Sequence, residues 1–174
     1  MAKHGKHEAA IPNPALNPLS ALVGEWNMVG THRLLPNALH GHASFEWVEG
    51  GAFLMMYWEI EEPDIPSAIA IFGSDDVMEE YFMLYFDERG VSRKYEMTLR
   101  DNSWKYWRDA PGFSQRFTGT FGDNGDTIMG VWELSEDGST WKRDLELIYT
   151  RVRLSSSEVS ASNDEIPYRE LTLC

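Results

Sequence analysis

One short run, "LHGHASFEWVEGGAFLMMYWEIE" from Leu39 to Glu61, brings together side chains that can move protons or hold a metal. Gly50-Gly51 folds the run back on itself, so that His42 opposes Glu59, Ser44 opposes Tyr57 and Glu46 opposes Met55. Strand periodicity then places His40, His42, Glu46, Tyr57 and Glu59 on one face. An imidazole beside a carboxylate can act as acid and base near neutral pH, which makes His42, Glu59 and Tyr57 a candidate catalytic set. Two imidazoles and a carboxylate also suit a divalent metal, yet no histidine follows His42 to complete a ligand set. The opposite face carries Leu39, Phe45, Trp47, Leu54, Met56, Trp58 and Ile60 and is the more apolar. If that face is interior, the histidines stand in water.

A second constellation could bind rather than react. Arg93, Tyr95 and Arg108 fall on a face otherwise filled by aromatic residues. Inside a fold, an unpaired guanidinium is costly, so a bound carboxylate or polarised carbonyl is one way to satisfy it. The alternative is that both arginines reach water at an open end, or pair with Asp87 and Asp109 near the turns. A third feature, Trp132 opposite Arg143, is explained by a cation–π contact worth about 1 kcal/mol.

These positions depend on the elements that carry them. Between "GEWNMVGTHR" and Arg153 the chain is a series of short alternating runs separated by turn residues, the pattern of an antiparallel all-β domain. Asn124-Gly125, Asp137-Gly138, Asp101-Asn102 and Ala110-Pro111 are hairpin turns, and the run from Asp87 to Gly90 is a turn with a glycine bulge. Pairing outward from each turn opposes Met83 to Tyr95, Tyr85 to Arg93, Met97 to Tyr106, Trp104 to Phe117 and Phe117 to Trp132. One continuous aromatic face results, with Lys94, Glu96, Thr118 and Glu146 on the other side. About ten strands in meander order predict an up-and-down barrel, which removes sheet edges and can enclose a small ligand. A short helical turn over Leu19 to Leu22 precedes the first strand. Residues 1–18 read as an arm, 19–153 as the barrel and 154–174 as a polar tail.

Composition excludes some partners. The net charge of −13 argues against nucleic acid or an anionic membrane. The single cysteine, Cys174, precludes an internal disulfide, and no apolar run reaches membrane-spanning length. A cytoplasmic location is expected, with no cofactor. Phe82, Leu84 and Phe86 point away from the interior, and such a patch on a barrel wall marks either a homodimer interface or a surface covered by the N-terminal arm or the C-terminal tail.

"LSALVGEW" resembles the Gly-x-Trp entry of the calycin superfamily, which comprises lipocalins, fatty-acid-binding proteins and nitrobindins. "FEWVEGGAFL", "YFDERGVSRKYEM" and "GVWELSEDGSTWKRDLELIYTR" are similar to segments of a bacterial lipocalin-like family. The resemblance implies a barrel with an enclosed pocket. It does not extend to the late haem-binding histidine of nitrobindins, nor to the late Arg-x-Tyr of fatty-acid-binding proteins, whose only counterpart is the mid-chain Arg93-Lys94-Tyr95. "HGHASFE" has the spacing of the first cupin motif without that motif's preceding glycine or its second half. The expectation is a binding protein for an apolar or amphipathic small molecule with a carboxylate or carbonyl. Its site would comprise Tyr85, Arg93, Tyr95, Trp104, Tyr106, Arg108, Gln115, Phe117, Trp132 and Arg143. The alternative is a cyclase or isomerase in the same pocket, which needs His42 and Glu59 to point inward.

Overall fold

The computed structural model describes residues 10–75, 78 and 80–153. A 3-10 helix, η1 (Pro14–Ala21), is followed by β1 (Gly24–His32), β2 (Leu39–Val48), β3 (Phe53–Ile60), β4 (Ala68–Ser74) and β5 (Tyr81–Asp87). Then come β6 (Ser92–Arg100), β7 (Ser103–Arg108), β8 (Ser114–Phe121), β9 (Thr127–Ser135) and β10 (Lys142–Arg151). Each strand pairs antiparallel with its chain neighbours, and β1 pairs with β10, giving a closed ten-strand up-and-down barrel. The meander predicted from the turns is therefore the fold. The tail at 154–174 and the first part of the arm lie outside the described residues.

Register follows from turn chemistry. Around Asn124-Gly125, Phe121 faces Ile128, Gly119 faces Gly130 and Phe117 faces Trp132, as a turn centred on that pair requires. The Gly50-Gly51 hairpin sets His42 against Glu59 and Ser44 against Tyr57. Two turns differ from expectation. The β7–β8 turn centres on Pro111-Gly112 rather than Ala110-Pro111: Phe113 N–H donates to Ala110 O at 3.1 Å, and Gly112 takes φ +77°. That geometry wants proline at the second position of the turn and glycine at the third. Pairing shifts by two residues, so Tyr106 faces Phe117 and Arg108 faces Gln115, with the inward set unchanged. At Asp137-Gly138 the Asp137 carboxylate accepts the Ser139 and Thr140 N–H groups at 2.8 and 2.6 Å and holds a wider loop. With a bulge between Arg143 and Leu145, Trp132 faces Leu145, not Arg143. Arg143 points outward and pairs with Glu146.

One pole of the barrel is plugged. Asn13 caps η1 by accepting Ala15 N–H at 3.1 Å, and Pro14 occupies the first helical position. Leu16, Leu19 and Leu22 are fully buried beneath the strands. The helix is longer than the expected turn and takes in Pro14 to Pro18 from the arm, of which Leu16 alone enters the core. Trp26 crosses the same pole and donates from Nε1 to Leu22 O at 2.8 Å. The Arg151 guanidinium lies 4.1 Å from the Trp26 ring centroid and donates to Val23 O and, at 2.7 Å, to Ala21 O. Above the plug, the plugged half of the barrel is filled by side chains. Trp104 packs at 4.8 Å from Phe117 and 5.9 Å from Phe45 between ring centroids, and Leu54, Phe72 and Ile128 are fully buried among the core residues. The cavity lies toward the other pole.

Candidate functional site

Strand periodicity decides which side chains enter the barrel, and the open pole decides which of these remain uncovered. A cavity of about 300 Å³ lies there. Met56, Met83, Tyr106, Trp132 and Tyr149 line it, with Trp58 and Tyr95 also on the wall. The β3–β4 connection contributes Asp64, Ile65 and Pro66, while Tyr85, Arg89, Arg93, Phe113 and Gln115 contribute from β5 to β8 and their turns. The volume is at the small end for ligand sites.

Polar groups along this wall are organised around Gln115. Its Oε1 accepts from Arg93 Nη1 at 2.9 Å and from Tyr95 OH at 2.6 Å. An arginine can only donate, so the amide orientation is set and Nε2 is left as a donor. Arg93 also stacks 4.8 Å from the Phe113 ring centroid. The other arginines on the wall have carboxylate partners: Arg89 meets Asp87 at 2.7 Å and Arg116 meets Glu133 at 2.7 Å. Among the described residues Arg93 has none.

Beside it, Asp87 is a fully covered carboxylate that organises the β5–β6 turn. It accepts from Arg89 Nη2, from Tyr85 OH at 3.0 Å and from the Arg89 backbone N–H at 3.0 Å. The Arg89 hydrogen bond, helped by the others, holds its pKa down at about 2. Burial, then the hydrogen bond to Asp87, raises the Tyr85 phenol. Burial likewise raises Tyr95, against the opposing pull of Arg93, and raises Tyr106 and Tyr149. These phenols stay protonated at neutral pH and serve as hydrogen-bond groups, not bases. One wall group is unsatisfied: Trp58 Nε1 is buried without a hydrogen-bond partner, and the Tyr149 phenol beside it does not meet hydrogen-bond geometry.

Of the residues proposed from sequence, Tyr85, Arg93, Tyr95, Tyr106, Gln115 and Trp132 come together on this wall. Trp104 and Phe117 point inward but pack in the filled half, where Phe117 stacks on Tyr106 at 4.5 Å. Arg108 sits at the rim and donates to Phe113 O at 3.3 Å, and Arg143 is outside. Trp58, Tyr149, Met56 and Met83 were not singled out as site residues, although all sit on apolar faces of their strands. His32 was also missed. It lies at the rim, with Nε2 at 3.5 Å from Asp144 and Nδ1 accepting the Leu34 N–H at 3.3 Å, so both ring nitrogens are engaged.

The candidate catalytic set lies on the outer wall, because the apolar face of the β2–β3 hairpin is the one buried. His42 pairs with Glu25 of β1 rather than with Glu59, and Tyr57 donates to Glu59 at 2.8 Å with its ring 38% exposed. Among the described residues no group of three His, Cys, Asp or Glu side chains is placed to hold a metal ion. None of the described helices is long and apolar enough to cross a membrane. Elsewhere on the outer wall Phe86 is 41% exposed and faces the 43% exposed Ile69 across β4–β5, beside Leu84 and Phe82.

No family model and no curated protein matches the chain. Among solved structures, the crystal structure of Rv2717c from M. tuberculosis is similar, with a TM-score of 0.58 at 14% identity, covering 84% of this chain and 100% of that one. At that identity the likeness is one of fold: this chain is a closed antiparallel ten-strand barrel with a plugged pole and an open one.

Proposed function

We propose that this chain is a calycin-type small-molecule binding protein whose open pole receives an apolar ligand bearing a carboxylate or carbonyl. The observation that carries the reading is Arg93, a cavity-wall cation with no carboxylate partner among the described residues, held in place by Gln115 and Phe113. A ligand anion would supply the missing counter-charge by a charge-assisted hydrogen bond, and the aromatic wall would take up its apolar body. The calycin assignment is supported by the Gly24-Glu25-Trp26 entry, the meander order and the helical plug. An enzyme acting in the same pocket gains no support from the outward His42, Tyr57 and Glu59. A cytoplasmic address rests on the composition, and a homodimer on the Phe82, Leu84 and Phe86 wall.

Two measurements test the binding role. Native mass spectrometry of the purified protein, set against its denatured mass, looks for a bound organic molecule. Titration with 1-anilinonaphthalene-8-sulfonate, an aromatic anion, is expected to saturate at one site and to weaken about tenfold or more in Arg93→Met, the loss of one charge-assisted hydrogen bond. Equal binding by wild type and Arg93→Met would refute the role of Arg93.

A further inference from the structure

We propose that the outer wall of β3, β4 and β5 is the interface of a symmetric dimer, in which β4 packs on β4 of a second copy and the two-fold axis passes beside Ile71. The surface and its symmetry go beyond the homodimer reading on which they rest, and neither depends on the ligand.

A barrel strand with one face in the core and one in water alternates apolar with polar residues. β6 follows that rule, with Ser92, Lys94, Glu96 and Thr98 on its outer face. The three strands before it do not. Register sets Tyr57, Ile69 and Phe86 side by side on the outside, with Met55, Ile71 and Leu84 as the next row. Phe53 and Phe82 continue the wall toward the plugged pole. Phe53, Tyr57, Ile69 and Phe86 are each 38–43% exposed. With side chains near 200 Å² each, those four alone present about 300 Å² of apolar surface.

Shape points to a sheet as the partner. A barrel wall is convex, yet here the middle strand carries the smaller outward groups, Ile69, Ile71 and Gly73, while β3 and β5 carry the larger ones. The Phe82 ring lies over Gly73, where a Cβ would come 2.6 Å from Phe82 Cζ. Bulk at the sides fills in the curvature and leaves a flat face, which suits packing on another sheet about 10 Å away. Matched by a second copy, the wall with its polar rim reaches the ~1,200 Å² at which specific interfaces begin. The chain's own ends fit it less well. Ile11 and Pro12 are engaged against Gly50 and Gly51 at the plugged pole, and residues 1–9 offer only Met1, Ala2 and Ala9 as apolar groups. The tail leaves from Arg153 beyond β10, which β1, β2 and β3 separate from β4. A second exposed apolar row, Val29, Ile148 and Met129, is only three side chains wide.

Light scattering of the full chain is expected to give twice the chain mass. Ile71→Lys brings two charges together at the axis and is expected to weaken the dimer about a hundredfold or more, whereas Ile148→Lys is expected to leave it unchanged. In a Cys174→Ser background, Ile71→Cys meets its own copy across the axis, while Thr120→Cys stands exposed on the far wall. With the short thiol crosslinker bismaleimidoethane, Ile71→Cys is expected to give covalent dimer at least about tenfold faster than Thr120→Cys, the gain in effective concentration over random encounter. A monomeric wild type at the highest soluble concentration would overturn both this interface and the homodimer reading. A dimer that is lost in Phe86→Lys but survives Ile71→Lys, with no faster crosslinking at Ile71→Cys, would overturn the two-fold arrangement and leave the homodimer reading standing. A dimer lost only in Ile148→Lys would overturn the choice of wall. If Ile71→Lys does not fold, the crosslinking ratio decides, since Ile71→Cys keeps a small apolar group.

Discussion

Replacing Asp87 by asparagine separates the charge of one buried group from its shape. Five donor contacts converge on this carboxylate, from Tyr85 OH, Arg89 Nε and Nη2, and the backbone N–H groups of Arg89 and Val91. An amide keeps one acceptor oxygen and turns an NH₂ toward donors. At pH 7 the expected cost is about 2–4 kcal/mol, from the broken ion pair and the donors left unpaired. Part of that cost depends on pH with a definite sign. The carboxyl has a pKa of about 2 when folded against its ordinary 3.8, so its contribution is complete above about pH 4 and disappears as pH falls through 2. At 1.36 kcal/mol per unit the full shift is worth about 2.4 kcal/mol. The Arg89 side chain is 54% exposed, so solvent screening brings this nearer to about 1–2 kcal/mol. Urea unfolding followed by tryptophan fluorescence, at pH 7, 4 and 2.5, measures both parts. A loss of 2 kcal/mol moves the midpoint by about 1 M. The gap between wild type and Asp87→Asn is expected to be constant from pH 7 to 4 and to narrow below that. A gap that is constant down to pH 2.5 would show that the charge of Asp87 does not hold this turn.

Three further outcomes follow from the same geometry. Arg151→Met keeps a flexible apolar stem over Trp26 but loses the donors to Val23 O and Ala21 O, and is expected to cost about 1–3 kcal/mol in thermal or urea unfolding, with no change in probe affinity at the open pole. The double change His42→Ala with Glu59→Gln alters exposed outer-wall groups, so stability is expected to stay within about 0.5 kcal/mol and 1-anilinonaphthalene-8-sulfonate affinity to be unchanged; a large loss of binding would place these residues in the site after all. Phe86→Lys puts a charge in the centre of the exposed β4–β5 wall, and light scattering is expected to show a dimeric wild type and a monomeric variant of unchanged thermal stability.

The in-or-out sense of most strands was legible in the sequence because it depends only on parity. A turn misplaced by an even shift, as at Pro111-Gly112, moves partners without exchanging faces, so Tyr106 and Gln115 were placed on the correct face although their partners across β7–β8 were not. An odd shift is not forgiven. The bulge beside Asp144 sent Arg143 outside and separated it from Trp132, and nothing local in "EDGSTWKRD" announces a bulge. Depth along the barrel was not legible at all. Trp104 and Tyr106 are two residues apart on the same face, yet only Tyr106 reaches the cavity. Depth is set by strand tilt and stagger around the closed ring, which no single hairpin encodes. The same limit hid Tyr149, whose alternation with Leu145 and Leu147 gave its direction but not its level.

Nine of the ten strand contacts are hairpins between chain neighbours, and their loops cost little entropy to close. The tenth joins β1 to β10 and must bring together parts of the chain as far apart as Val23 and Arg151, separated by 128 positions. Most of the topological cost of the fold is therefore concentrated in a single seam. Trp26 stacked under Arg151, Arg153 on Asp126 and the Val152 N–H on Glu25 O are all gathered at its plugged end. The plug thus also acts as a latch. A meander that has formed every hairpin but not this seam is an open sheet with two unpaired edges, exposed to pairing with another chain. The other end of the same seam is fastened at the open pole, where Arg33 meets Asp144 and His32 faces Leu145, so the rim of the binding pole and the closure of the barrel share residues.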